Sequence, residues 1–416
     1  MGRERAGGDV LFLSQRIPYP PNNGDKIRAW HFLQHLAQHR AVHLGCFIDD
    51  PADWAHAGAI EKRCASSCIL PLSPGWAKLR SLVGFASGEA LTLPYFRRRA
   101  MQEWVAQTVR RHRPGLIFVY SSAMAQYVQE VPRGDERRVL DMVDMDSQKW
   151  LQYAERKAGP ARFVYRRESR LLHRFERQSV RRFDATLFVS PAEARLFRRL
   201  TPEARGGVDF VCNGVATEHF DPALALPDPF EPGTRAVVFT GTMDYWPNID
   251  AVTWFADALW PAIHGADPAS RFVIVGANPA SQVRALAKRR GILVTGRVPD
   301  VRPYLAHAAV AVAPLRVAQG VQNKVLEAMS MARPVVATPQ ALDGIDIARQ
   351  PAVAMAETAE AFAAAVTAFL RRPPSDALGL GNRAFVQRHH DWPEALHRLS
   401  RLCAIPADRD ARAVSA

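Results

Sequence analysis

Residues 309–338, AVAVAPLRVAQGVQNKVLEAMSMARPVVAT, decide the fold class of this chain. An apolar run at 309–313 ends at Pro314, a polar loop carrying a glycine follows, and a helix is predicted to begin near Asn323. A second apolar run occupies 335–338. Short apolar runs bounded by Gly and Pro are typical of buried strands. The stretch therefore predicts a strand, a loop, a helix and a further strand, as in α/β proteins with a parallel sheet.

The helix predicted at Asn323 carries two charged side chains three residues apart, Lys324 and Glu327. Residues at i and i+3 lie on one helix face, with Cβ atoms about 5–6 Å apart. A helix N-terminus favours a phosphate because its free N–H groups and its dipole are positive there. Lys324 can therefore contact a diphosphate while Glu327 accepts hydrogen bonds from hydroxyls such as those of a ribose. This pattern predicts a nucleotide-sugar site.

The size of the chain, 416 residues, exceeds what one hydrophobic core usually accommodates and suggests two domains. No apolar run approaches the roughly 18–20 residues that span a bilayer. The apolar run at 10–13 is too short for a signal peptide. We therefore expect a cytoplasmic protein.

The net charge of +13 implies a polyanionic partner, which could be a membrane surface, a nucleic acid or a phosphorylated substrate. The five cysteines are scattered, which fits a reducing compartment. Cys64 and Cys68 could form half of a metal site, but no second Cys/His pair with ligand spacing follows. Core or surface thiols are therefore the favoured interpretation.

Apolar runs alternate with helical patterns along the whole chain, which predicts doubly wound parallel sheets with ligands at the carboxyl ends of the strands. The strands predicted in the first half are 10–13, 42–48, 115–120, 139–143 and 185–189. Those predicted in the second half are 208–212, 236–240, 271–275, 292–295, 309–313 and 335–338. The expected organisation is a first domain at 1–205, a second at 206–381, a helix at 382–405 that packs back on the first domain, and a tail at 406–416.

Three segments of the second half resemble retaining glycosyltransferases of the GT-B fold, group 1 or family-four type. They are VCNGVATEHFDP at 211–222, VVFTGTMDYWPNID at 237–250, and 309–338. The resemblance implies two facing Rossmann-like domains with a cleft between them, the first binding the acceptor and the second the nucleotide sugar. It also implies transfer of a sugar, with retention of configuration, from a nucleotide diphosphate sugar to a lipid-linked or saccharide acceptor. No metal cofactor is expected, because the helix dipole and basic residues would hold the diphosphate.

By this resemblance the catalytic side chains are Arg316, Lys324 and Glu327. The helix of the family carries two glutamates with seven residues between them, and Glu327 matches the second. The first is replaced here by Gln319, so recognition of the sugar is expected to rest on Arg316 and on Gln319 through Gln322.

The pair Gly241-Thr242 matches the position where the glycine of the family turns toward the donor phosphates. The basic residues that commonly follow this glycine are missing here, so Arg316 and Lys324 must supply the positive charge. Asn213 follows a predicted strand, and its Asn-Gly pair could equally form a tight turn. The donor-binding residues expected from the pattern and the resemblance are Gly24, Asn213, Gly241, Thr242, Gln319, Gly320, Val321, Gln322 and Asn323.

Two strings of the first half, SQRIPYPPNNGDKIR at 14–28 and DMVDMDSQKW at 141–150, resemble a narrower branch. This branch comprises the sugar transferases associated with exosortase/PEP-CTERM exopolysaccharide systems. The loop with Asn23 and Gly24 follows the first strand, where doubly wound folds bind ligands, although a structural turn is the alternative.

The aspartates at the end of the strand 139–143 are candidates for acceptor binding. Alternation places Asp144 and Asp146 on one side if the strand continues. Surface or helix-capping aspartates are the alternative, and a metal site is not favoured. The expected acceptor-binding residues are Asn23, Asp144 and Asp146.

Residues 156–182 combine ten Lys/Arg with two Glu and interleaved apolar residues, which predicts a basic amphipathic helix. Such a helix binds anionic lipid, although an exposed helix with its apolar side on the core is the alternative. Segment 79–99 pairs an apolar loop with three arginines and could enter the interface as well. Nucleic-acid binding is not expected because the basic segment is not accompanied by a motif that recognises DNA or RNA. We thus expect a peripheral protein on the inner face of the cytoplasmic membrane.

Two other functions are compatible with this sequence. A nucleotide-sugar epimerase on the same fold would need acid/base carboxylates or a histidine flanking the sugar, and none is well placed. A non-enzymatic basic scaffold would bind a membrane or a nucleic acid through 156–182.

Overall fold

The computed structural model describes residues 8–21, 24–155, 157–204, 207–318, 321–345, 347, 352–372 and 376–405. Contacts divide the chain into two compact units. The first comprises the residues up to Cys212 together with those from Ala395 onward, and the second is Asn213–Glu394. Residues 382–394, which we expected to pack on the first domain, therefore group with the second unit.

The first unit is built on a parallel sheet of seven strands in the order β3-β2-β1-β4-β5-β6-β7. The order reverses between β1 and β4, which marks the switch point where doubly wound sheets bind ligands. The strands are β1 Val10–Ser14, β2 Val42–Ile48, β3 Ser66–Pro71, β4 Leu116–Tyr120, β5 Arg137–Val143, β6 Ala185–Phe188 and β7 Val208–Phe210.

Nine α-helices of the first unit flank this sheet, and apolar side chains between them and the strands form its core. The last of them has a side-chain cap, because the hydroxyl of Ser190 accepts a hydrogen bond from the Glu193 N–H. The helices are α1 Gly24–His39, α2 Trp54–Glu61, α3 Pro74–Ser81, α4 Val83–Ser87, α5 Thr92–Phe96, α6 Arg99–His112, α7 Asp146–Glu155, α8 Gly159–Val180 and α9 Pro191–Leu200.

The second unit contains a parallel sheet of six strands in the order β10-β9-β8-β11-β12-β13. Its switch point lies between β8 and β11. The strands are β8 Arg235–Thr240, β9 Ser270–Val275, β10 Ile292–Gly296, β11 Ala308–Ala313, β12 Val335–Ala337 and β13 Val353–Met355. The helices that follow in sequence are α10 Trp246–Trp254, α11 Trp260–Ala266, α12 Ser281–Leu286, α13 Arg302–Ala306, α14 Asn323–Ser330, α15 Ala359–Leu370, α16 Asp376–His389 and α17 Trp392–Leu402.

Three strands differ from the sequence-based expectation. The run 208–212 was assigned to the second half, but β7 pairs with β6 in the first sheet. Two edge strands, β3 and β13, were not predicted. The first is Ser-rich and only partly buried, and the second has three residues, so neither carries a strong apolar signal.

The C-terminal segment 382–405 was predicted as one helix, and the structure forms two, α16 and α17. The end of α17 is held on the first unit by two contacts. The Arg137 Nε donates to the Leu402 carbonyl at 2.6 Å, and the Ser400 Oγ lies 2.6 Å from the His35 Nε2.

A buried ion pair fixes α1 to the first sheet. Arg28 and Asp141 are both fully buried, and Nε of Arg28 donates to the carboxylate at 2.7 Å. Its Nη1 donates to the Val211 carbonyl at 2.6 Å. Removing either charge would leave the other buried without a partner, so this pair holds α1, β5 and the segment after β7 in one arrangement.

Candidate functional site

The carboxyl end of β8 brings a glycine into contact with the helix that was predicted to bind the donor. Gly241 has a φ of +153°, a conformation that side chains with a Cβ rarely adopt. A Cβ at this position would lie 2.7 Å from the Asn248 Nδ2 and 3.0 Å from the Lys324 Nζ. Glycine is therefore required here for the lysine to reach the edge of the sheet.

Lys324 is held at this edge by a residue that the sequence analysis missed. Its Nζ donates to the Asn248 Oδ1 at 2.6 Å and lies 4.0 Å from the centroid of the Phe239 ring. The Asn248 Nδ2 in turn donates to the Thr242 carbonyl at 2.9 Å. The predicted pair Gly241-Thr242 and the predicted Lys324 thus meet through one amide side chain. The sequence held one signal for this contact. Asn248 is the third residue of α10, in the Trp-Pro-Asn stretch that begins the helix after the glycine turn.

Burial disfavours the charged forms of Lys324 and Glu327, and each residue partly offsets this effect on the other. Burial lowers the pKa of Lys324 to about 7, while the neighbouring Glu327 acts in the opposite direction. Burial likewise raises the pKa of Glu327 to about 7, opposed by Lys324. A cation in this state gains strongly from an added negative charge, because the ligand replaces the solvation that burial removed. The pair is thus suited to an anionic ligand.

The N-terminus of α14 lies beside this pair. Asn323 is its first residue, Gln322 has the extended backbone of an N-cap, and Val321 is buried. The Asn323 Oδ1 is buried, and no described residue donates to it. Buried carbonyl oxygens are normally satisfied, so this unpaired oxygen is unusual. The predicted donor residues Gln319 and Gly320 lie outside the described residues.

Arg316, predicted to share the diphosphate with Lys324, has a partner of its own. Its guanidinium forms two hydrogen bonds to the Asp250 carboxylate, at 3.1 and 2.5 Å, and lies 5.5 Å from the Trp254 ring centroid. These residues line a cavity together with Trp246. The catalytic role of Arg316 stays a prediction, and it requires this ion pair to open.

Two further donor-site predictions fall outside this group of contacts. Gly24 opens α1 and is exposed, and the acceptor-site prediction Asn23 lies outside the described residues. Asn213 is buried, and its neighbour Gly214 packs so closely that a Cβ would lie 2.7 Å from the Trp392 Cα. The Val215 N–H donates to the His390 carbonyl. This segment anchors the chain before α17, and its donor role stays a prediction.

The carboxyl edge of the first sheet carries a second polar group. Val143 ends β5 with a φ of +64°, which is uncommon for a β-branched residue, so the alternation expected to align the two aspartates breaks here. Asp144 and Asp146 nevertheless converge on Lys149, whose Nζ lies 2.9 and 3.4 Å from their carboxylate oxygens. The Ser122 Oγ donates to Asp146 at 3.1 Å. Lys149 and Ser122 were not predicted: Ser122 is 24 positions from Asp146, and Lys149 meets the aspartates only through the turn into α7.

The predicted basic amphipathic helix is α8, and its charges are sorted by face. Its two acids are buried: Glu168 accepts hydrogen bonds from Leu91 and Thr92, and Glu176 accepts them from Ser147. The outer face is basic, with exposed arginines at a spacing of four residues, namely Arg162, Arg166, Arg170 and Arg174. Arg156, counted in the predicted segment, lies outside the described residues.

Exposed apolar side chains lie on α3 and α4, next to α8. Trp76 is 72% exposed, and Phe163 on α8 is exposed to the same degree. Arg167 joins the two regions, because it donates to the Gly84 carbonyl and lies 4.8 Å from the Phe85 ring centroid. We call this set, Trp76, Leu79, Leu82, Val83, Phe85 and Phe163, the apolar patch. Within the described part of the chain, no helix is long and apolar enough to cross a membrane.

Part of the second unit matches a known protein family in sequence. Residues 234–372, about a third of the chain, match the family model described as "Glycosyl transferases group 1". No curated protein sequence matches the chain.

Several solved structures share the fold at low sequence identity. Sucrose-phosphate synthase from Thermosynechococcus elongatus superimposes with a TM-score of 0.69 at 18% identity, covering 95% of this chain and 98% of that one. HepE of Anabaena, solved in complex with UDP and glucose, gives a TM-score of 0.64 at 14% identity, and the match covers 95% of this chain and 99% of HepE. WaaG, a glycosyltransferase involved in lipopolysaccharide biosynthesis, gives a TM-score of 0.64 at 14% identity, and the match covers 94% of this chain and 99% of WaaG. The fold is GT-B, and residues 234–372 are similar in sequence to group 1 glycosyltransferases.

Proposed function

We propose that this protein is a glycosyltransferase that moves a sugar from a nucleoside diphosphate donor held by the second unit. The desolvated lysine at the glycine turn carries the proposal: Lys324 lies against Gly241 and Asn248, with its charge poorly solvated. A diphosphate would supply the missing counter-charge, and Glu327 would accept hydrogen bonds from donor hydroxyls. HepE, which shares the fold, has been solved with UDP and with UDP-glucose, so UDP is the first probe to use.

We propose further that the configuration at the anomeric carbon is retained. The acceptor oxygen bonds to that carbon on the face from which the diphosphate departs, and the acceptor proton passes to an oxygen of the leaving phosphate. Lys324 and the N-terminus of α14 stabilise the charge that develops on the leaving group, which is the main contribution of the protein. The proposed mechanism uses a side-chain cation and a helix dipole, so it requires no metal.

The acceptor is proposed to be a lipid-linked or saccharide molecule bound at the first sheet. Asp144 and Asp146 present carboxylate oxygens that accept hydrogen bonds from sugar hydroxyls, and Lys149 holds both in place. The strings at 14–28 and 141–150 resemble transferases of exosortase/PEP-CTERM systems, which supports a role in exopolysaccharide or other cell-surface polysaccharide assembly.

We also propose that the enzyme works as a peripheral protein on the inner face of the cytoplasmic membrane. The exposed arginines of α8 would attract anionic headgroups, each by about 1 kcal/mol, and the apolar patch would enter the interface. A lipid-linked acceptor would then reach the enzyme along the surface in which it is anchored.

The donor and the reaction class are tested together by incubating the enzyme with a panel of nucleotide sugars. Thermal shift selects the donor, and product analysis with and without a polyprenyl-linked or saccharide acceptor follows. We expect transfer only when acceptor is present, with unchanged anomeric configuration. Conversion of the donor sugar to its epimer without any acceptor would overturn the proposal.

Membrane binding is tested by co-sedimentation with vesicles that contain about a third phosphatidylglycerol. Reversing three charges, Arg162→Glu, Arg166→Glu and Arg170→Glu, should weaken binding by roughly 100-fold or more. A matched variant that reverses Lys288, Arg290 and Arg371 on the second unit should bind like the wild type. Equal binding by both variants would refute a role for α8.

A further inference from the structure

Three potential metal ligands meet at the amino end of the first sheet, away from the strand ends that carry the aspartates. Asp9 directly precedes β1, and His43 is the second residue of β2. His112 is the last residue of α6, shortly before β4. Since β1 pairs with both β2 and β4, the sheet itself brings the three side chains together. Their ligand atoms all lie within 4.8 Å of one another.

Both histidines direct a ring nitrogen toward the same carboxylate oxygen of Asp9. The His43 Nε2 lies 3.0 Å from the Asp9 Oδ2, and the His112 Nδ1 lies 3.9 Å from the same oxygen. The two imidazole rings are 4.1 Å apart between centroids. Two nitrogens and one carboxylate oxygen thus point into one small volume.

His43 is oriented by a second contact, as metal-binding histidines usually are. Its side chain is 2% exposed, and its Nδ1 lies 2.8 Å from the Ser66 Oγ on β3. This leaves Nε2 directed at Asp9, with the ring held in place by packing. A histidine held in this way loses little entropy when it binds an ion.

The geometry needs only a small adjustment to accept an ion. Zinc–ligand bonds of about 2.0–2.2 Å place tetrahedral ligands roughly 3.3–3.5 Å apart, so ligand atoms up to 4.8 Å apart must close by up to about 1.5 Å. His112 can supply this movement because it ends a helix and 33% of its side chain is exposed. Asp9 is 34% exposed, so a water molecule can reach the fourth position.

We propose that Asp9, His43 and His112 bind one divalent transition-metal ion of the zinc type, with water as a fourth ligand. Nitrogen and oxygen ligands together favour Zn²⁺, Ni²⁺ or Cu²⁺ over Mg²⁺ and Ca²⁺. The ion would clamp the start of β1 and of β2 to the end of α6. Its role is to stabilise the first unit, and it is separate from the proposed chemistry of sugar transfer.

The test uses the full chain without a histidine tag, freed of metal by chelation and then titrated with ZnCl₂ or MgCl₂. Zinc should raise Tm by about 5 °C at saturating concentration, and magnesium should not. After gel filtration, metal analysis should find one zinc per chain. Cobalt should give the visible absorption of a tetrahedral site.

Two variants make the result specific. His112→Ala should lose the zinc, the Tm shift and the cobalt spectrum, while His397→Ala, an exposed histidine elsewhere, should keep all three. Asp9→Asn gives a second removal that leaves the buried His43 untouched. Equal zinc content and equal Tm shifts in the wild type and His112→Ala would overturn the proposal, as would no zinc in the wild type.

Discussion

The two sheets end in polar groups of different character. At the edge of the first sheet, Lys149 is shared by the two acids Asp144 and Asp146, so every charge there has an opposite charge within 3.4 Å. At the edge of the second sheet, Lys324 and Glu327 are desolvated to the point where burial moves the pKa of each to about 7.

This difference indicates different ligands. A carboxylate pair with one lysine keeps a net negative charge and offers acceptor oxygens, which suits neutral hydroxyl groups. A poorly solvated lysine at a glycine turn and a helix N-terminus suits an anion. The comparison therefore supports the proposed roles, in which the second unit would bind the diphosphate and the first unit would bind the sugar acceptor.

The largest effect should come from removing the cation. Lys324→Met should lower kcat/KM for transfer by about 10²–10³, because the charge that stabilises the leaving group is lost. Lys288→Met, at an exposed site of the same unit, is the control. A Lys324→Met variant with wild-type Tm and near-wild-type turnover would contradict the role of Lys324 in the second unit.

The glycine turn should be almost as sensitive. In Gly241→Ala the new methyl group would press on both Asn248 and Lys324, so we expect donor binding to weaken by roughly 10- to 100-fold. Gly265→Ala on α11 meets open space and should leave donor affinity unchanged. Isothermal titration with UDP measures both, and equal affinities would show that this turn does not face the donor.

The lysine should also make donor binding depend on pH. In the free enzyme Lys324 loses its proton above about pH 7, and a bound diphosphate raises its pKa again. Binding above pH 7 then takes up a proton, so the affinity for UDP should fall by up to about tenfold per pH unit between pH 7 and 9. Lys324→Arg should flatten this slope, since a guanidinium stays charged. A slope that persists in the arginine variant would assign the proton to another group.

The smallest effect is expected at the first sheet. Asp144→Asn should raise KM for the acceptor by about tenfold through one lost charge-assisted hydrogen bond, and leave KM for the donor unchanged. Asp135→Asn, an exposed site on the same unit, is the matched control. A change in donor KM instead would contradict the division of work between the two units.

Much of this arrangement was predictable because it rests on local patterns. Buried strands such as β2, β8 and β11 and the helix carrying Lys324 and Glu327 follow from apolar runs and spacing. The same patterns could not assign β7 to the correct sheet, because strand pairing is a long-range property.

The partners within the site could not be predicted for the same reason. Asn248 and Lys324 form a hydrogen bond although 76 positions of sequence separate them. Asp250 and Arg316 do so across 66 positions. Lys149 was overlooked although it is close in sequence to the aspartates, because the turn at Val143 redirects the chain. Spacing identifies which residues share an element, and packing of separate elements decides which of them meet.

The central claim is tested most directly by a crystal structure of the enzyme with the nucleoside diphosphate that stabilises it most. We expect a phosphate oxygen about 3 Å from the Lys324 Nζ, beside Gly241 and the first turn of α14, with a ribose hydroxyl donating to Glu327. A diphosphate bound at Lys149, or anywhere else with Lys324 still bonded only to Asn248, would contradict the account.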